Sequence, residues 1–371
     1  MKKVCHVISG YHRIDARIFQ RQCKSLSKFG FEVSILTNDG EPNETIENIK
    51  IYKTNWFWKN RIIILLFAKF QFFKNAIEIN ADIYQLHSPE LLSLGLKLKR
   101  NGKVVIYDAH EDLPRHILEK DWIPVLFRKP LSIFIESYMN SILKHYHEIV
   151  SPHEHVVSNL KKISNNVSVI ANFPLINYDF HSDIESYKKI NNVMCYSGTV
   201  YSYSNQEVIL EVMNNIKNVN YEIAGYIESN HLQNLSKFKS FNRVKFLGRI
   251  AWNDLHLFYK KSVIGLVIYD YKLNLGYKLG SFGTNKIFEY MEAGLPVICT
   301  DFKLWKMVIE KYNCGICVEP NNLVQLESAI NYLISFKEKA FEMGQNGRKA
   351  VINEYNWATQ EKIYIEIFKK Y

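Results

Sequence analysis

Short apolar runs alternate with amphipathic stretches along this chain, and polar residues gather just after the apolar runs. Residues 4–9 (VCHVIS) and 31–36 (FEVSIL) read as strands. Residues 17–29 between them read as a helix with Phe19, Cys23 and Leu26 on one face, stopped by Gly30. Further strands are predicted at 83–87, 104–107, 148–151 and 167–171. After a polar stretch, residues 172–192, that reads as a linker, a second series begins. Its strands are 193–196, 221–224, 244–247, 263–269, 296–300 and 316–318, and residues 323–336, 339–355 and 357–371 read as closing helices. Such alternation demands parallel sheets with crossover helices, an α/β fold built twice. No short-period repeat is present, which excludes a solenoid.

Ligands in such folds sit beyond the carboxyl ends of the strands. His12, Asp15 and Arg17 follow the first strand, His87 another, and Asp108, His110 and Glu111 a third. Gly198 and Thr199 open the second half, and residues 269–285 follow a later strand. The stretch 285–301 (NKIFEYMEAGLPVICTD) reads as loop, helix, turn and buried strand, with Glu289 among Phe288, Tyr290 and Met291. An ionised carboxylate in apolar surroundings needs partners. A pair of neighbouring hydroxyls, as on a ribose, would satisfy its two oxygens. A half-exposed helix glutamate beside Lys286 fits the spacing equally well.

At 371 residues, 47% hydrophobic and 23% charged, the chain has material for two folded domains. The net charge of +10 points to acidic partners: phosphates, anionic lipid or nucleic acid. The lysines and arginines are spread out and no zinc-finger, RNA-recognition or helix-turn-helix signature occurs, so nucleic acid is not expected. Six cysteines lie mostly in apolar stretches, which fits a reduced, cytoplasmic setting. Cys314 and Cys317 have zinc spacing without a second pair, so a structural role is expected. The chain enters its first strand without a signal-peptide pattern, and no apolar run is long enough to span a bilayer.

Several motifs resemble those of the GT-B glycosyltransferases, specifically the family 4-like bacterial enzymes that build surface polysaccharides or lipid-linked oligosaccharides. HRIDARIFQRQCKSLSKFGFEVSIL (12–36), HSPELL (87–92) and YDAHEDLP (107–114) are similar to the family's first-domain loops. YSGT (196–199), FLGRI (246–250) and the 285–301 stretch are similar to its donor domain, and YNWATQ (355–360) to its final helix. The resemblance implies two Rossmann-like domains facing a cleft: an acceptor-side domain at 1–175, a nucleotide-sugar domain at 176–354, and a helix at 355–371 crossing back to the first. It implies transfer of a hexosyl or N-acetylhexosaminyl group from a nucleoside-diphosphate sugar to a hydroxyl, with retention. Neither a cofactor nor a metal is expected. The implied donor-binding set is Glu289 on the ribose, with Lys286, Asn285, Arg249, Gly198, Thr199 and Lys278; the implied catalytic set is His110, Asp15 and Glu111. His110 would hydrogen-bond the donor sugar, Asp15 would orient the acceptor or a loop, and Glu111 is the reserve base, since the leaving phosphate can itself take the acceptor proton. His12, His87 and Arg17 are secondary candidates.

Two departures stand out. Many relatives carry a second glutamate eight residues before the ribose ligand, where this chain has Ser281. Many also place an Arg and a Lys after the first donor-domain strand, and residues 190–216 contain neither. The diphosphate charge must then meet Lys286 and Arg249, with Lys278 next and Lys272 more remote. Residues 56–77 and 121–134 mix aromatic, aliphatic and basic side chains, as segments lying in a membrane interface do, although core helices also read this way. The expected partners are therefore a nucleotide sugar, a saccharide or lipid-linked acceptor and the anionic inner face of the cell membrane. The alternatives are a nucleotide-sugar epimerase and a non-catalytic nucleotide- or lipid-binding subunit.

Overall fold

The computed structural model describes residues 1–54, 61–176 and 183–371. The chain divides into two compact units, Met1–Asn172 with Trp357–Tyr371, and Phe173–Asn356.

In the first unit the described strands are β1 (Lys3–Ile8), β2 (Glu32–Thr37), β3 (Glu44–Ile46), β4 (Ile49–Lys53), β5 (Ile83–Leu86), β6 (Val104–Asp108), β7 (Glu148–Ser151) and β8 (Val167–Val169). They form one sheet in the order β3-β4-β2-β1-β5-β6-β7-β8. Every pairing is parallel except the β3–β4 hairpin. The hairpin is absent from the sequence reading; at its turn Glu47 and Asn48 both take positive φ, as a two-residue turn of the primed type requires. Central strands are apolar on both faces, with Val4, Cys5, Val7, Ile83, Tyr84 and Leu86 fully buried, as a sheet covered by helices demands.

The predicted helix at 17–29 is wound differently. Ile18–Cys23 forms a π-helical segment and only Lys24–Lys28 is α-helical. Asp15 starts the segment: its Oδ1 accepts from the amides of Arg17 and Ile18, and its carbonyl accepts from Phe19 and Gln20. Helix Trp357–Lys369 packs on this region, with Trp357 Nε1 donating to Ser25 Oγ at 2.9 Å and Ser25 donating to Glu361 at 2.7 Å.

The second unit contains β9 (Val193–Ser197), β10 (Asn220–Ala224), β11 (Val244–Gly248), β12 (Ile264–Val267), β13 (Val297–Thr300) and β14 (Gly315–Val318). Their order, β11-β10-β9-β12-β13-β14, is the doubly wound dinucleotide-fold order, all parallel. Leaving out the hairpin strand, the first sheet follows the same rule. The direction of winding therefore reverses between β1 and β5 and again between β9 and β12, where such sheets form their crevices. Part of the predicted linker belongs to this unit: Asp183 caps helix Ile184–Lys188, and buried Tyr187 donates to the carbonyl of Val263. Residues 177–182 of that linker lie outside the described residues. Cys299 and Cys317 face each other on β13 and β14 with sulfurs 3.8 Å apart, and Cys314 is buried, which agrees with a structural role.

Candidate active site

At the carboxyl end of the first sheet the chain buries a polar network centred on Asp108, the last residue of β6 and fully enclosed. Arg17 forks onto it, Nε to Oδ2 at 3.0 Å and Nη2 to Oδ1 at 2.9 Å, and spends Nη1 on the Ile170 carbonyl and Asn172. Gln22 donates to Oδ2 at 2.7 Å, and Gln85 reaches it at 3.3 Å while accepting from the Tyr364 hydroxyl at 2.6 Å. The π-helical winding serves this cluster by turning both Arg17 and Gln22 toward the sheet. Burial alone would raise the Asp108 pKa; Arg17, then His110 and His87, hold it well below the usual carboxylate range.

Three histidines from three neighbouring strands line up beside it. His6 lies in β1, His87 follows β5 and His110 follows β6. His6 Nδ1 is 2.9 Å from His87 Nε2, and His87 Nδ1 is 3.0 Å from His110 Nε2. Burial pushes His6 well below the ordinary imidazole value and His87 down to about 4, so both are neutral near pH 7. His110 alone among them reaches the surface, its side chain 12% exposed, with the Tyr11 ring against it at 4.7 Å. His153, lowered to about 3 by burial and by His155, donates Nε2–H to the His110 carbonyl at 3.0 Å.

The predicted catalytic set is thus only partly assembled. His110 belongs to the network together with the secondary candidates His87 and Arg17. Glu111 does not: it is 63% exposed and pairs with His116 at 3.1 Å. Asp15 spends Oδ1 on two backbone amides. His12 is exposed, its Nδ1 accepting from the Ile14 amide. His87, Asp108 and His110 could place three ligand atoms around one ion. Both oxygens of Asp108 already serve the Arg17 guanidinium, and a cation there would stand against that charge.

In the second unit the loops after β9, β10 and β11 meet on glycine. Gly198 takes φ +117° and Gly225 φ +150°, and a Cβ on Gly225 would lie 1.9 Å from the Gly198 carbonyl oxygen. The space over Gly198 is filled by Lys286: a Cβ there would sit 2.7 Å from its Cε and 2.8 Å from its Nζ. The ammonium is flanked by the rings of Tyr196 and Tyr269 at 5.5 and 5.8 Å. Three residues on, along helix Asn285–Glu292, Glu289 is half-buried with Oε2 3.0 Å from the Tyr259 hydroxyl. Burial, then the Glu289 charge, drives the Tyr259 phenol far above its ordinary pKa, so it remains a protonated donor. Tyr259 is held by Ser197 Oγ at 2.8 Å, and Ser197 N donates to Tyr290 at 2.9 Å. Neither Lys286 nor Glu289 has an oppositely charged partner among the described residues. Their spacing, one helical turn on the face toward the β9 loop, sets a cation and a carboxylate side by side.

The remaining donor candidates lie around this pair. Asn285 opens the helix, and Thr199 gives its carbonyl to Tyr196. Arg249 is exposed over Tyr226 at 5.6 Å, and Lys278 is exposed over Tyr271 at 5.3 Å. Ser281 is buried, accepting from the Gly283 amide at its hydroxyl and giving its carbonyl to Trp305. Sequence reasoning missed His6, Gln22, Gln85, Tyr364 and the tyrosine cradle. Only His6, a lone polar residue inside VCHVI, left a visible signal.

Family comparisons cover nearly the whole chain. The model for glycosyltransferase family 4 matches residues 16–173, and that for glycosyl transferases group 1 matches residues 177–350. The chain is a family 4-like glycosyltransferase of the GT-B fold. No curated protein matches it in sequence. Among solved structures it is similar to sucrose-phosphate synthase from Thermosynechococcus elongatus, at 13% identity and TM-score 0.77 over 100% of this chain and 99% of that one. It is also similar to Anabaena HepE in complex with UDP and glucose, at 14% identity and TM-score 0.75, with both chains fully covered. WaaG, a glycosyltransferase involved in lipopolysaccharide biosynthesis, gives 14% identity and TM-score 0.72 over 98% and 99% of the two chains. At these identities the structural likeness establishes the GT-B fold alone.

Proposed function

We propose that this glycosyltransferase moves a sugar from a nucleoside-diphosphate donor, with retention at the anomeric carbon, onto a saccharide or lipid-linked acceptor at the membrane surface. The observation that carries the donor half is the Lys286–Glu289 pair. A diphosphate needs a cation and amide donors, and a ribose offers two hydroxyls to a carboxylate. Lys286 sits above the glycine crossing, the first amides of helix Asn285–Glu292 lack a side-chain cap, and Glu289 is held one turn further on. The developing charge on the leaving phosphate is then met by Lys286, with Arg249 as the outer cation, and no metal is required. His110 hydrogen-bonds the transferred sugar. The leaving phosphate takes the acceptor proton; Glu111 pairs with His116, and Asp15 gives Oδ1 to backbone amides. The Anabaena relative's UDP complex makes UDP the first nucleotide to try.

The membrane half rests on residues 121–134. Trp122, Val125, Leu126 and Phe127 are 61–80% exposed, Ile133 and Phe134 are exposed as well, and Lys129 lies among them. Such a patch beside cations fits an interface of anionic lipid. The other candidate stretch offers less: residues 56–60 lie outside the described residues, and Phe72 and Ala76 of helix Arg61–Ile79 are buried in the core. No described helix is long and apolar enough to cross a membrane. In this reading the protein works at the cytoplasmic, inner face of the cell membrane on a lipopolysaccharide, capsule or similar surface-polysaccharide intermediate.

The test is sugar transfer from UDP-, GDP- and dTDP-sugars to membrane lipid extracts, followed by mass spectrometry. A glycosylated lipid or saccharide product is expected. A free nucleotide sugar changed without any acceptor would make the protein an epimerase, and no turnover of any donor would make it a binding subunit. Affinity for anionic vesicles, read by sedimentation, should fall by about a hundredfold or more in W122S/F127S, since each aromatic contributes roughly 1.5–3 kcal/mol when buried. Equal sedimentation of both proteins would remove the membrane from the proposal.

A further inference from the structure

We propose that His6 and His87 lock His110 into the tautomer that carries its proton on Nδ1, so that His110 meets its ligand as a hydrogen-bond donor and takes no proton at that atom. Only the identity of that ligand rests on the function proposed above.

Each nitrogen–nitrogen contact needs one N–H and one bare nitrogen. His6 and His87 are wholly buried and neutral, so each carries a single proton. Only two arrangements then satisfy both contacts. In one, every ring is protonated on Nδ1: His6 donates to His87 Nε2, and His87 donates to His110 Nε2. In the other, every ring is protonated on Nε2 and the bonds run the opposite way. Asp108 Oδ2 does not choose between them, because it is 3.4 Å from both His87 Nδ1 and His110 Nε2.

The far end of the chain decides. His6 Nε2 is buried and has no hydrogen-bond partner among the described residues. Protonation on Nε2 throughout would strand an N–H donor there, and orphaned buried N–H groups are rare. Protonation on Nδ1 throughout leaves only a bare nitrogen. The preference should exceed about tenfold. It runs against the ordinary bias of a solvated histidine toward Nε2–H, so the protein imposes it. His110 Nδ1 has no partner among the described residues, and its ring is the exposed one. The group awaiting a ligand is therefore an N–H, and it calls for an acceptor such as a hydroxyl lone pair, a carbonyl or a phosphate oxygen. His6 is a positioning residue that acts through His87.

The tautomers can be read directly by NMR of ligand-free protein labelled with 15N-histidine, with H110N used to assign the His110 signals. The expected result is a protonated Nδ1 and a bare Nε2 on His110 and His87. A protonated Nε2 on His110 overturns the proposal. Replacing His6 by Met (H6M) removes the donor and leaves a weak acceptor facing His87 Nε2. The Nδ1-protonated share of His110 should fall, and an unchanged spectrum would strip His6 of its role. H110N can present an N–H where Nδ1 was, whereas H110D offers only oxygen. Nucleotide-sugar affinity, relative to that for the bare nucleotide, should be about tenfold lower for H110D than for H110N; equal values count against the donor role. If no nucleotide sugar binds at all, the functional reading falls while the NMR result still decides the tautomer.

Discussion

Asp108 and Arg17, at the carboxyl end of the first sheet, are closed against each other inside the protein, whereas Lys286 and Glu289, at that of the second, face no opposite charge among the described residues. Both sheets wind in the same order, so the topology does not create this difference. It comes from what surrounds each carboxylate: a guanidinium, two amides and two histidines in one case, a single tyrosine hydroxyl in the other. Charges that satisfy each other stabilise a fold and are unavailable to a ligand. Charges that are positioned but unsatisfied contribute little to folding and keep their interaction energy for binding.

The contrast can be broken most sharply at Asp108. D108A leaves the Arg17 guanidinium buried without its partner and should cost about 3–5 kcal/mol in urea unfolding. A loss below about 1 kcal/mol would mean that the network is not structural. Acid should expose the same unit next. The unfolded chain protonates His87 below its ordinary value of 6.5, but the folded protein resists until about 4. Between those limits the unfolded state binds the extra proton, so stability falls as pH falls, by about 1.4 kcal/mol per pH unit for this histidine. Asp108 acts lower: its contribution is complete above the unfolded carboxylate value of 3.8 and is lost as pH drops further toward its depressed folded value. Flat stability between pH 6.5 and 4.5 would contradict the burial of His87. The smallest stability effects belong to the second unit. E289Q and K286M should each change unfolding by less than about 1 kcal/mol and weaken nucleotide binding roughly tenfold or more. Calorimetry that showed the reverse pattern would exchange the roles of the two sheet ends.

The period of the apolar runs made the doubly wound architecture legible, because a strand covered on both faces announces itself locally. Glu289, Lys286 and His110 are legible as candidates because each lies in a short local motif. The Asp108 network is not. Its members come from positions 6, 17, 22, 85, 87, 108 and 364, and no local pattern relates residues so far apart. Arg17, only a secondary candidate by its local sequence, holds the central carboxylate. Glu111, next to His110 in sequence, pairs with His116 outside the network. The π-helical segment escaped as well, because its apolar spacing matches an ordinary helix over so few residues.

The helix Trp357–Lys369 has a consequence for the order of events during synthesis. It belongs to the first unit, and its Tyr364 hydroxyl completes the Gln85 side of the Asp108 network. Everything from Phe173 to Asn356 is translated in between, at a rate of roughly 5–20 residues per second. The first unit therefore waits about 10–40 s with its most polar interior one hydroxyl short. The unit that is started first thus makes its Tyr364–Gln85 contact only after every residue of the second has been added.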